Sequence, residues 1–349
     1  MSRTSPRAAP ARRVLVTGVG GVLGAAAATR LVAEPDVALV IGVDSSVPVD
    51  LPRGVEFLHA DLRHQLLGRV IAAARIDTVL HLGVIHDELA VRPRSAHESS
   101  VLGTVNLLAA CSEADSPVGR LVVRSSAAVY GCAPGDPSLR VESEESRALD
   151  DALGRDALEV EAYVREHMVR RPSGAVVLLR FGELVAPGTW VTRWLTGPAI
   201  PAVLGFDPRL QLLHLEDAVS AVLAAAANGS RGCHNVAGAG VVLLSQAAAR
   251  LGRPLLPLLP PVAESVPIAA IRRLGGYDLG GQRSALLRHG RVLSTRSLSR
   301  QLAVTTRPTA ATLASLAGGP VRDDPPFGNL GERQLEELLR SKGSGAAGR

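Results

Sequence analysis

The chain has 349 residues, of which 46% are hydrophobic and 20% charged. It is long enough to bury a sizeable core and too apolar for general disorder. Its formal net charge is +5 and its pI is near 9.7, but only 3% of its residues are aromatic and the arginines are spread singly along the chain. This pattern argues against a base-stacking surface, and we expect no nucleic-acid partner.

The first motif is a short strand that runs into a glycine turn and a helix. Residues 14–16 are an apolar β-branched run, which predicts a buried strand, and residues 25–33 continue as a helix. Three glycines follow the pattern Thr-Gly-x-x-Gly-x-x-Gly, at Gly18, Gly21 and Gly24. Without side chains, such a turn lets a pyrophosphate approach backbone N–H groups at the positive end of the helix.

An acidic residue at the end of the next strand strengthens this interpretation. Residues 37–43 form a second apolar run that Asp44 closes, and an acid about 20 residues beyond such glycines contacts the adenosine ribose in dinucleotide-binding units. A glycine-rich turn in an alanine-rich protein is the alternative.

The rest of the first half alternates strands with helices. Strands are predicted over 55–59, 77–83, 120–125 and 175–181, and helices over 63–74, 101–114 and 156–170. This alternation predicts an α/β fold with a Rossmann-type doubly wound parallel sheet, whose ligands lie at the carboxyl ends of the strands. Beyond residue 182 short elements are broken by proline, which indicates a smaller C-terminal substrate-binding domain.

The predicted organisation has four parts. We expect a disordered basic N-terminus over 1–11, a dinucleotide-binding domain over 12–182 to which some later segments return, a mainly substrate-binding domain over 183–340, and a disordered tail over 341–349. An alanine-rich helix to about residue 227 is expected to begin at Glu216 and Asp217, a strand is expected over 234–237, and closing helices over 308–316 and 332–339.

Several polar residues lie at or beyond the predicted strand ends. Asp61 and Leu62 are placed to bracket an adenine, although Asp61 could equally cap the following helix. His81 lies in a buried run and is expected to be a core histidine. The irregular segment over 84–100 carries His86, Ser95 and His97 as weaker catalytic candidates.

With these residues in view, positions 12–316 resemble the extended short-chain dehydrogenase/reductase family of nucleotide-sugar epimerases and dehydratases. The motifs that carry the resemblance are the glycine turn, Asp61-Leu62, residues 125–131 (Ser-Ser-Ala-Ala-Val-Tyr-Gly) and residues 179–187. The resemblance implies that an NAD(P) cofactor is bound by Gly18, Gly20, Gly21, Val22, Leu23, Gly24, Asp44, Ser45, Ser46, Asp61, Leu62, Leu82, Gly83, Ser125, Phe181, Gly182 and Leu184. It also implies that Ser126 polarises a carbonyl group, whereas a strand-end serine that satisfies local backbone is the alternative role.

The chain departs from the family at the catalytic helix. The family carries a Tyr-x-x-x-Lys pair there, and alignment on Glu161 places Leu153 at the tyrosine position and Ala157 at the lysine position. Tyr163 and His167 form a distant look-alike, about 15 Å further along the helix axis. The usual proton donor, whose general-acid contribution is about 10²–10⁴-fold, is therefore missing.

This departure shapes the expected function. The chain resembles an atypical ketoreductase of this family that lacks the pair, and this resemblance implies an NAD(P)H-dependent reduction of an angucyclinone-type carbonyl in antibiotic biosynthesis. The proton would come from a phenol of the substrate, from water, or from His86, Ser95 or His97. A non-catalytic NAD(P)-binding sensor or scaffold is the alternative, and a nucleotide-sugar epimerase or dehydratase is the third interpretation.

Cofactor preference stays open at this point. The resemblance favours NADP(H), but the carboxylate of Asp44 repels a 2′-phosphate and makes NAD(H) possible, while Ser45, Ser46 and Arg63 could accommodate the phosphate. The substrate, the stereochemistry and the oligomeric state are not predicted.

The remaining expectations concern compartment and metals. The three cysteines, Cys111, Cys132 and Cys233, lack metal-ligand spacing, so we expect buried thiols in a reducing cytoplasm and no metal site. No signal peptide or membrane span is predicted. We therefore expect a cytoplasmic enzyme whose partner is a small polycyclic aromatic molecule, without a membrane contact.

Overall fold

The computed structural model describes residues 11–48, 51–64, 66–84, 97–144, 152–258 and 282–317. Its main sheet is built from β1 (Arg12–Thr17), β2 (Val37–Asp44), β3 (Val55–His59), β4 (Thr78–His81), β5 (Arg120–Ser126), β6 (Ala175–Phe181) and, from later in the chain, β11 (Gly232–Val236). These seven strands are all parallel and lie in the order β11-β6-β5-β4-β1-β2-β3. The predicted Rossmann-type doubly wound sheet is confirmed.

The first helices join the strands of this sheet. They are α1 (Val22–Val32), α2 (Leu67–Ala73), α3 (Gly103–Cys111) and α4 (Ala152–Arg170). The later helices are α5 (Trp190–Thr196), α6 (Leu215–Ala227), α7 (Leu244–Leu251), α8 (Gln282–His289), α9 (Arg296–Gln301) and α10 (Thr309–Ala317). A π-helical turn at Glu98–Leu102 precedes α3, and a 3-10 turn at Ala127–Tyr130 follows β5.

The alternation of side chains along each strand divides the core into two layers. In β1, Val14 and Val16 face the layer that contains α1 and α6, whereas Leu15 faces the layer that contains α2, α3 and α4. Because both faces are covered, the central strands are nearly continuous apolar runs, as parallel sheets require. Their carboxyl ends meet along one edge of the sheet, and this edge forms the candidate site.

Three small sheets build a second layer beside this edge. They pair β7 (Glu183–Val185) with β10 (Leu212–His214), β8 (Ile200–Val203) with β13 (Leu255–Leu258), and β9 (Arg209–Leu210) with β12 (Val242–Leu243). A separate core holds them together, in which the Trp190 and Trp194 rings stack with their centroids 5.5 Å apart. Both β11 and α6 belong to the main sheet and its covering helices, although they follow residue 183 in the chain. The domain limits themselves stay a prediction.

The helix starts differ from their predictions. The helix after β3 begins at Leu67 rather than at residue 63, and Asp61 does not cap it, because its carboxylate accepts hydrogen bonds from the backbone and side chain of Arg63 in the preceding turn. The start of α6 is capped by His214, whose Nδ1 accepts from the Glu216 N–H, so Glu216 and Asp217 lie inside its first turn. The predicted helix over 332–339 lies outside the described residues.

The three thiols are free and shielded. Cys111 and Cys132 are buried and Cys233 is partly buried, and burial raises the pKa of Cys111 and Cys233 to about 12 and that of Cys132 to about 11. Within the described ranges, no helix has the length and apolar character needed to cross a membrane. The same ranges contain no group of three or more His, Cys, Asp or Glu side chains that could hold a metal ion.

Candidate functional site

The glycine turn between β1 and α1 is packed too tightly for side chains. Gly18 has φ +73°, and a Cβ there would overlap the backbone of Gly83 at the end of β4. A Cβ on Gly24 would overlap the carbonyl group of Gly18. The two glycines therefore allow the turn to close against β4 and against the first turn of the helix.

The N-terminus of α1 points into the same turn. Its capping residue is Gly21, in an extended conformation and without a side-chain capping bond. The first N–H groups of a helix have no partner within the helix and carry a partial positive charge. A cleft with bare helix N–H groups and no Cβ atoms in the way fits the pyrophosphate of a dinucleotide.

Asp44 closes the cleft on one side. Its Oδ2 accepts a hydrogen bond of 2.9 Å from the Gly20 N–H, and its Oδ1 accepts bonds of 3.1 Å from both the N–H and the hydroxyl group of Ser46. The carboxylate is thus fixed at the end of β2 with lone pairs left for ribose hydroxyl groups.

These groups line one small cavity of about 100 Å³. The structure brings together there the predicted residues Gly18, Gly20, Gly21, Val22, Leu23, Gly24, Asp44, Ser46, Leu82, Gly83 and Leu184. It adds four residues that sequence reasoning missed, Arg124, Pro187, Gly188 and Thr189. Arg124 could have been found as a charged residue inside an otherwise apolar predicted strand. Gly188 and Thr189 directly follow the motif at residues 179–187.

Six predicted cofactor contacts do not line this cavity: Ser45, Asp61, Leu62, Ser125, Phe181 and Gly182. The Asp61 carboxylate lies 2.6 Å from the Arg63 guanidinium, whose hydrogen bond lowers the pKa of Asp61. Leu62 packs against Gly103: a Cβ added to Gly103 would lie 3.1 Å from the Cβ of Leu62. Phe181 is buried in the core.

Ser125 faces the opposite side of the sheet from the cavity. Its hydroxyl group donates a 2.6 Å bond to Glu161 Oε1, and the guanidinium of Arg180 donates bonds of 2.8 Å to both oxygens of the same carboxylate. Glu161 and Arg180 are fully buried. Burial raises the pKa of Glu161, but the bonds and charge of Arg180 outweigh it, so the pKa is lowered on balance. The role of the Ser125 side chain is structural in this arrangement.

Ser126 lies at the end of β5 and caps the following 3-10 turn. Its Oγ accepts a 3.1 Å bond from the Ala128 N–H, and the residue is only partly buried. Ser126 therefore has the alternative role, a hydrogen bond to the neighbouring backbone. Because Oγ is the acceptor in that bond, its proton remains able to donate to a substrate oxygen.

The helix that should carry the catalytic pair offers no acid at those positions. Ala157 is fully buried in the core, and Leu153 packs against the same cluster. Tyr163 is 36% exposed on the outside of α4, which argues against it as a substitute. Tyr130 is also committed, because its hydroxyl group donates to Asn235 Oδ1 at 2.8 Å and accepts from Arg180 at 2.7 Å.

His81 is a core histidine, as expected. Its Nδ1 lies 2.6 Å from the Thr17 hydroxyl group and its Nε2 lies 2.9 Å from the Thr104 hydroxyl group, which itself donates to the Ser100 carbonyl. Thr104 has one proton, so His81 Nε2–H is the donor to it and Nδ1 accepts from Thr17. Burial lowers the pKa of His81 to about 3, which keeps the ring neutral.

Of the three weaker catalytic candidates, only His97 lies within the described residues; His86 and Ser95 fall outside them. His97 Nδ1 lies 2.7 Å from Asp156 Oδ1, and the His97 side chain is 48% exposed. The bond to Asp156 raises the pKa of His97. Asp156 directly precedes Ala157, so His97 is bonded to the turn of α4 that lacks the lysine.

A second, larger cavity of about 320 Å³ lies beyond Ser126. Its charged lining consists of Arg140, Arg209, Arg288, Arg291, His289, Asp136 and Asp207. Gly131 and Cys132 of its wall follow the turn that Ser126 caps, and Arg291 bonds Glu183 at 2.8 Å, next to Leu184 of the first cavity. Two of its four guanidinium groups are already paired with carboxylates: Arg140 lies 2.6 Å from Asp136 and 3.0 Å from Glu144, and Arg291 binds Glu183.

Comparison with known proteins finds a relative by sequence and solved structures with a similar fold. An uncharacterised protein of Mycobacterium tuberculosis is 36% identical over 302 residues, which cover 83% of this chain and 78% of that protein. The solved structure of MoeE5 with UDP-glucuronic acid and NAD superposes with a TM-score of 0.68 at 22% identity, covering 88% of this chain and 98% of the other. A UDP-glucose 4-epimerase of Thermotoga maritima with UDP-glucose gives 0.67 at 18% identity, covering 94% and 99%.

A family model decides the assignment. The model of the NAD dependent epimerase/dehydratase family matches residues 14–237, which include the glycine turn, Asp44 and the turn that Ser126 caps. The chain therefore belongs to the NAD dependent epimerase/dehydratase family, and it is an enzyme of the NAD(P)-dependent oxidoreductase and epimerase type.

Proposed function

We propose that this chain is an NAD(H)-dependent reductase of a ketone that supplies its own proton. The single observation that carries the proposal is the state of α4, where Leu153 and Ala157 pack into the core at the positions of the catalytic pair. The cofactor cleft and Ser126 are nevertheless present, so the loss concerns only the proton donor.

The geometry divides the work between substrate and chain. A bound nicotinamide would supply the hydride. The Ser126 hydroxyl group, oriented by its bond from Ala128, donates to the carbonyl oxygen and stabilises the negative charge that develops there. A phenol beside the ketone passes its proton to that oxygen, and the phenolate left behind recovers a proton from water. An aromatic polyketide of the angucyclinone type has this chemistry.

The cleft favours NAD(H) over NADP(H). The Asp44 carboxylate stands at the ribose end, where it would accept hydroxyl groups and repel a 2′-phosphate. Arg63, the one cation expected to accommodate that phosphate, is bound to Asp61 at 2.6 Å and to Glu98 at 3.2 Å. The solved structures of MoeE5 and of a Bacillus cereus UDP-glucuronic acid 4-epimerase contain NAD.

A specific observation favours a second function, conversion of a nucleotide-linked sugar. The arginine-lined cavity beyond Ser126 contains guanidinium groups, which are the side chains that bind phosphate oxygens in two places at once. MoeE5 and the Thermotoga enzyme were solved with UDP-sugars. Oxidation of a sugar hydroxyl group would still need a base. Among the described residues, the candidate is His97, whose partner Asp156 directly precedes Ala157 at the lysine position.

The test is oxidation of NADH and NADPH at 340 nm with angucyclinone and quinone-type ketones whose neighbouring phenol is either free or methylated. Reduction of the free-phenol compounds alone supports the proposal, and reduction of both series contradicts the substrate as proton source. Conversion of a UDP-sugar with NAD, without net reduction of a ketone, would establish the second function. Cofactor binding without turnover of either class would contradict both functions.

A further inference from the structure

Arg124 is a cation within the cofactor cleft that the glycine pattern does not require. It lies two residues before Ser126 on β5, and side chains two apart on a strand share one face. Ser125 between them is turned to Glu161 on the other face. Arg124 is partly buried and lines the same cavity as Gly20, Gly21 and Thr189.

The sheet order places Arg124 opposite the ribose acid. β2, which ends in Asp44, lies on one side of β1, whereas β4 and β5 lie on the other. A dinucleotide bound across the strand ends, with its adenosine ribose at Asp44 and its pyrophosphate at the start of α1, would continue towards β5. Arg124 is thus on the nicotinamide side of the pyrophosphate.

The charges of the cleft give this position a role. Among its described lining residues, Arg124 is the one cation and Asp44 the one anion. The pyrophosphate of a dinucleotide carries two negative charges, and the helix N-terminus offers only about half a positive charge. A guanidinium group matches phosphate oxygens in both charge and geometry.

We propose that Arg124 binds the nicotinamide-side phosphate of the dinucleotide. The inference rests on the cofactor assigned under the proposed function and adds one specific contact to it. It does not depend on which substrate is turned over, because the contact belongs to the cofactor alone.

The test measures dissociation constants by calorimetry for NAD, ADP-ribose and AMP with the full-length wild type, Arg124→Gln and Arg124→Lys. Charge-assisted hydrogen bonds of this kind correspond to about a 10- to 100-fold change in affinity. We expect Arg124→Gln to weaken NAD and ADP-ribose by this factor and equally, because both contain the second phosphate. AMP lacks that phosphate and should bind unchanged, and Arg124→Lys should recover part of the loss.

Controls separate the contact from general damage and from net charge. Arg30→Gln removes the same charge from the exposed last turn of α1 and should leave all three affinities unchanged. Loss of NAD affinity with normal ADP-ribose affinity would place Arg124 at the nicotinamide and overturn the proposal. Unchanged binding, or an equal loss for AMP, would overturn it as well. Failure of every ketone assay would leave these binding results standing, so the two proposals fail separately.

Discussion

Under the proposed function, Ser126 has both a structural and a chemical role in one hydroxyl group. Its oxygen accepts from the Ala128 N–H, which fixes its orientation at the end of β5, and its proton is left for the substrate. The proposal needs both roles, because α4 has no acid at the positions of the catalytic pair. A serine that only capped the turn would affect stability and leave the chemistry unchanged.

We therefore expect Ser126→Ala to lower kcat by about 10²-fold or more, the usual cost of a lost oxyanion donor. Affinity for NADH should stay within about twofold, because Ser126 does not line the cofactor cavity. Ser126→Thr retains the hydroxyl group and is the matched control. Stopped-flow single-turnover rates with a ketone substrate provide the measurement. An unchanged rate for Ser126→Ala would mean that Ser126 only caps the turn and has no role in the chemistry.

His97 provides a prediction of pH dependence. Asp156 raises the pKa of His97, so the folded state favours the protonated ring. Its stabilising contribution is complete below the unfolded value, about 6.5, and is lost as the pH rises through the higher folded value.

Asp156→Asn should bring the His97 pKa back towards its ordinary value and remove this pH dependence. NMR titration of the His97 ring protons measures the first effect, and urea unfolding from pH 5 to 9 measures the second. If the His97 pKa does not fall in the variant, the bond to Asp156 is not the cause of the shift.

At the scale of elements, the contact between the glycine turn and α1 is sensitive to substitution. A Cβ on Gly24 would overlap the Gly18 carbonyl group, whereas on Gly21 the nearest atom, the same carbonyl oxygen, would lie 3.4 Å away. The two positions are three residues apart, yet only one is sterically closed.

Gly24→Ala should accordingly lower the free energy of unfolding by about 1–3 kcal/mol through overpacking, because α1 must shift away from β1. Gly21→Ala, with a tolerable contact and a negative φ of −82°, should change it far less. Denaturant titration of both variants without cofactor tests the difference. Equal stabilities would mean that the turn can open without cost.

The buried pair of Glu161 and Arg180 joins α4 to β6. Glu161→Gln would leave the Arg180 guanidinium buried without its countercharge, which typically costs about 3–5 kcal/mol. Glu166→Gln removes one partner of an exposed pair with Arg170 on the same helix and should cost less than about 1 kcal/mol. Urea unfolding compares the two variants.

The same pair has a defined pH dependence. The folded pKa of Glu161 is lowered on balance, so its contribution is present above the unfolded value of about 4.3 and is lost as the pH falls through the folded value. An acid unfolding midpoint that did not change in Glu161→Gln would contradict this account.

At the scale of the whole molecule, the cleft is built by parts that lie far apart in the chain. The glycine turn, Asp44, Arg124 and Leu184 come from four separate segments: the turn after β1, the end of β2, β5 and β7. A ligand that binds only the folded state stabilises it by RT ln(1 + [L]/Kd), about 2.7 kcal/mol at 100 times Kd.

NAD at 100 times its dissociation constant should therefore raise the Tm by several degrees, since about 1 kcal/mol corresponds to roughly 2–4 °C in larger domains. NADP at the same concentration should raise it less if Asp44 excludes the 2′-phosphate, and Asp44→Asn should narrow the difference. Differential scanning fluorimetry measures all three shifts. A larger shift with NADP than with NAD would contradict the assignment of the ribose site.

The sequence allowed prediction where local pattern and burial agree. All six strands predicted before residue 182 are present, because parallel strands covered on both faces are continuous apolar runs. Eleven of the seventeen predicted cofactor contacts line one cavity, and their role as cofactor contacts stays a prediction. The turn after β3 was predicted poorly, because a side-chain pair between Asp61 and Arg63 replaced the expected cap.

Long-range contacts were beyond local reasoning. A strand over 234–237 and the return of later segments to the first domain were predicted, but the pairing of β11 with β6, 51 residues after β6 ends (Phe181 to Gly232), follows from tertiary contacts alone. The direction of Arg124 into the cleft, and of Ser125 away from it, depends on the register of β5 within the sheet. Likewise, the arginine-lined cavity assembles segments between residues 131 and 292.

The state of the three cysteines has a practical consequence. A thiol reacts with alkylating reagents only as the thiolate, and burial together with a pKa near 11 or 12 suppresses that form at neutral pH. Native protein should thus react slowly with maleimides. A cysteine introduced at an exposed position such as Arg30 would carry a fluorophore selectively, so that movements around the cleft could be followed by energy transfer without first removing the natural thiols.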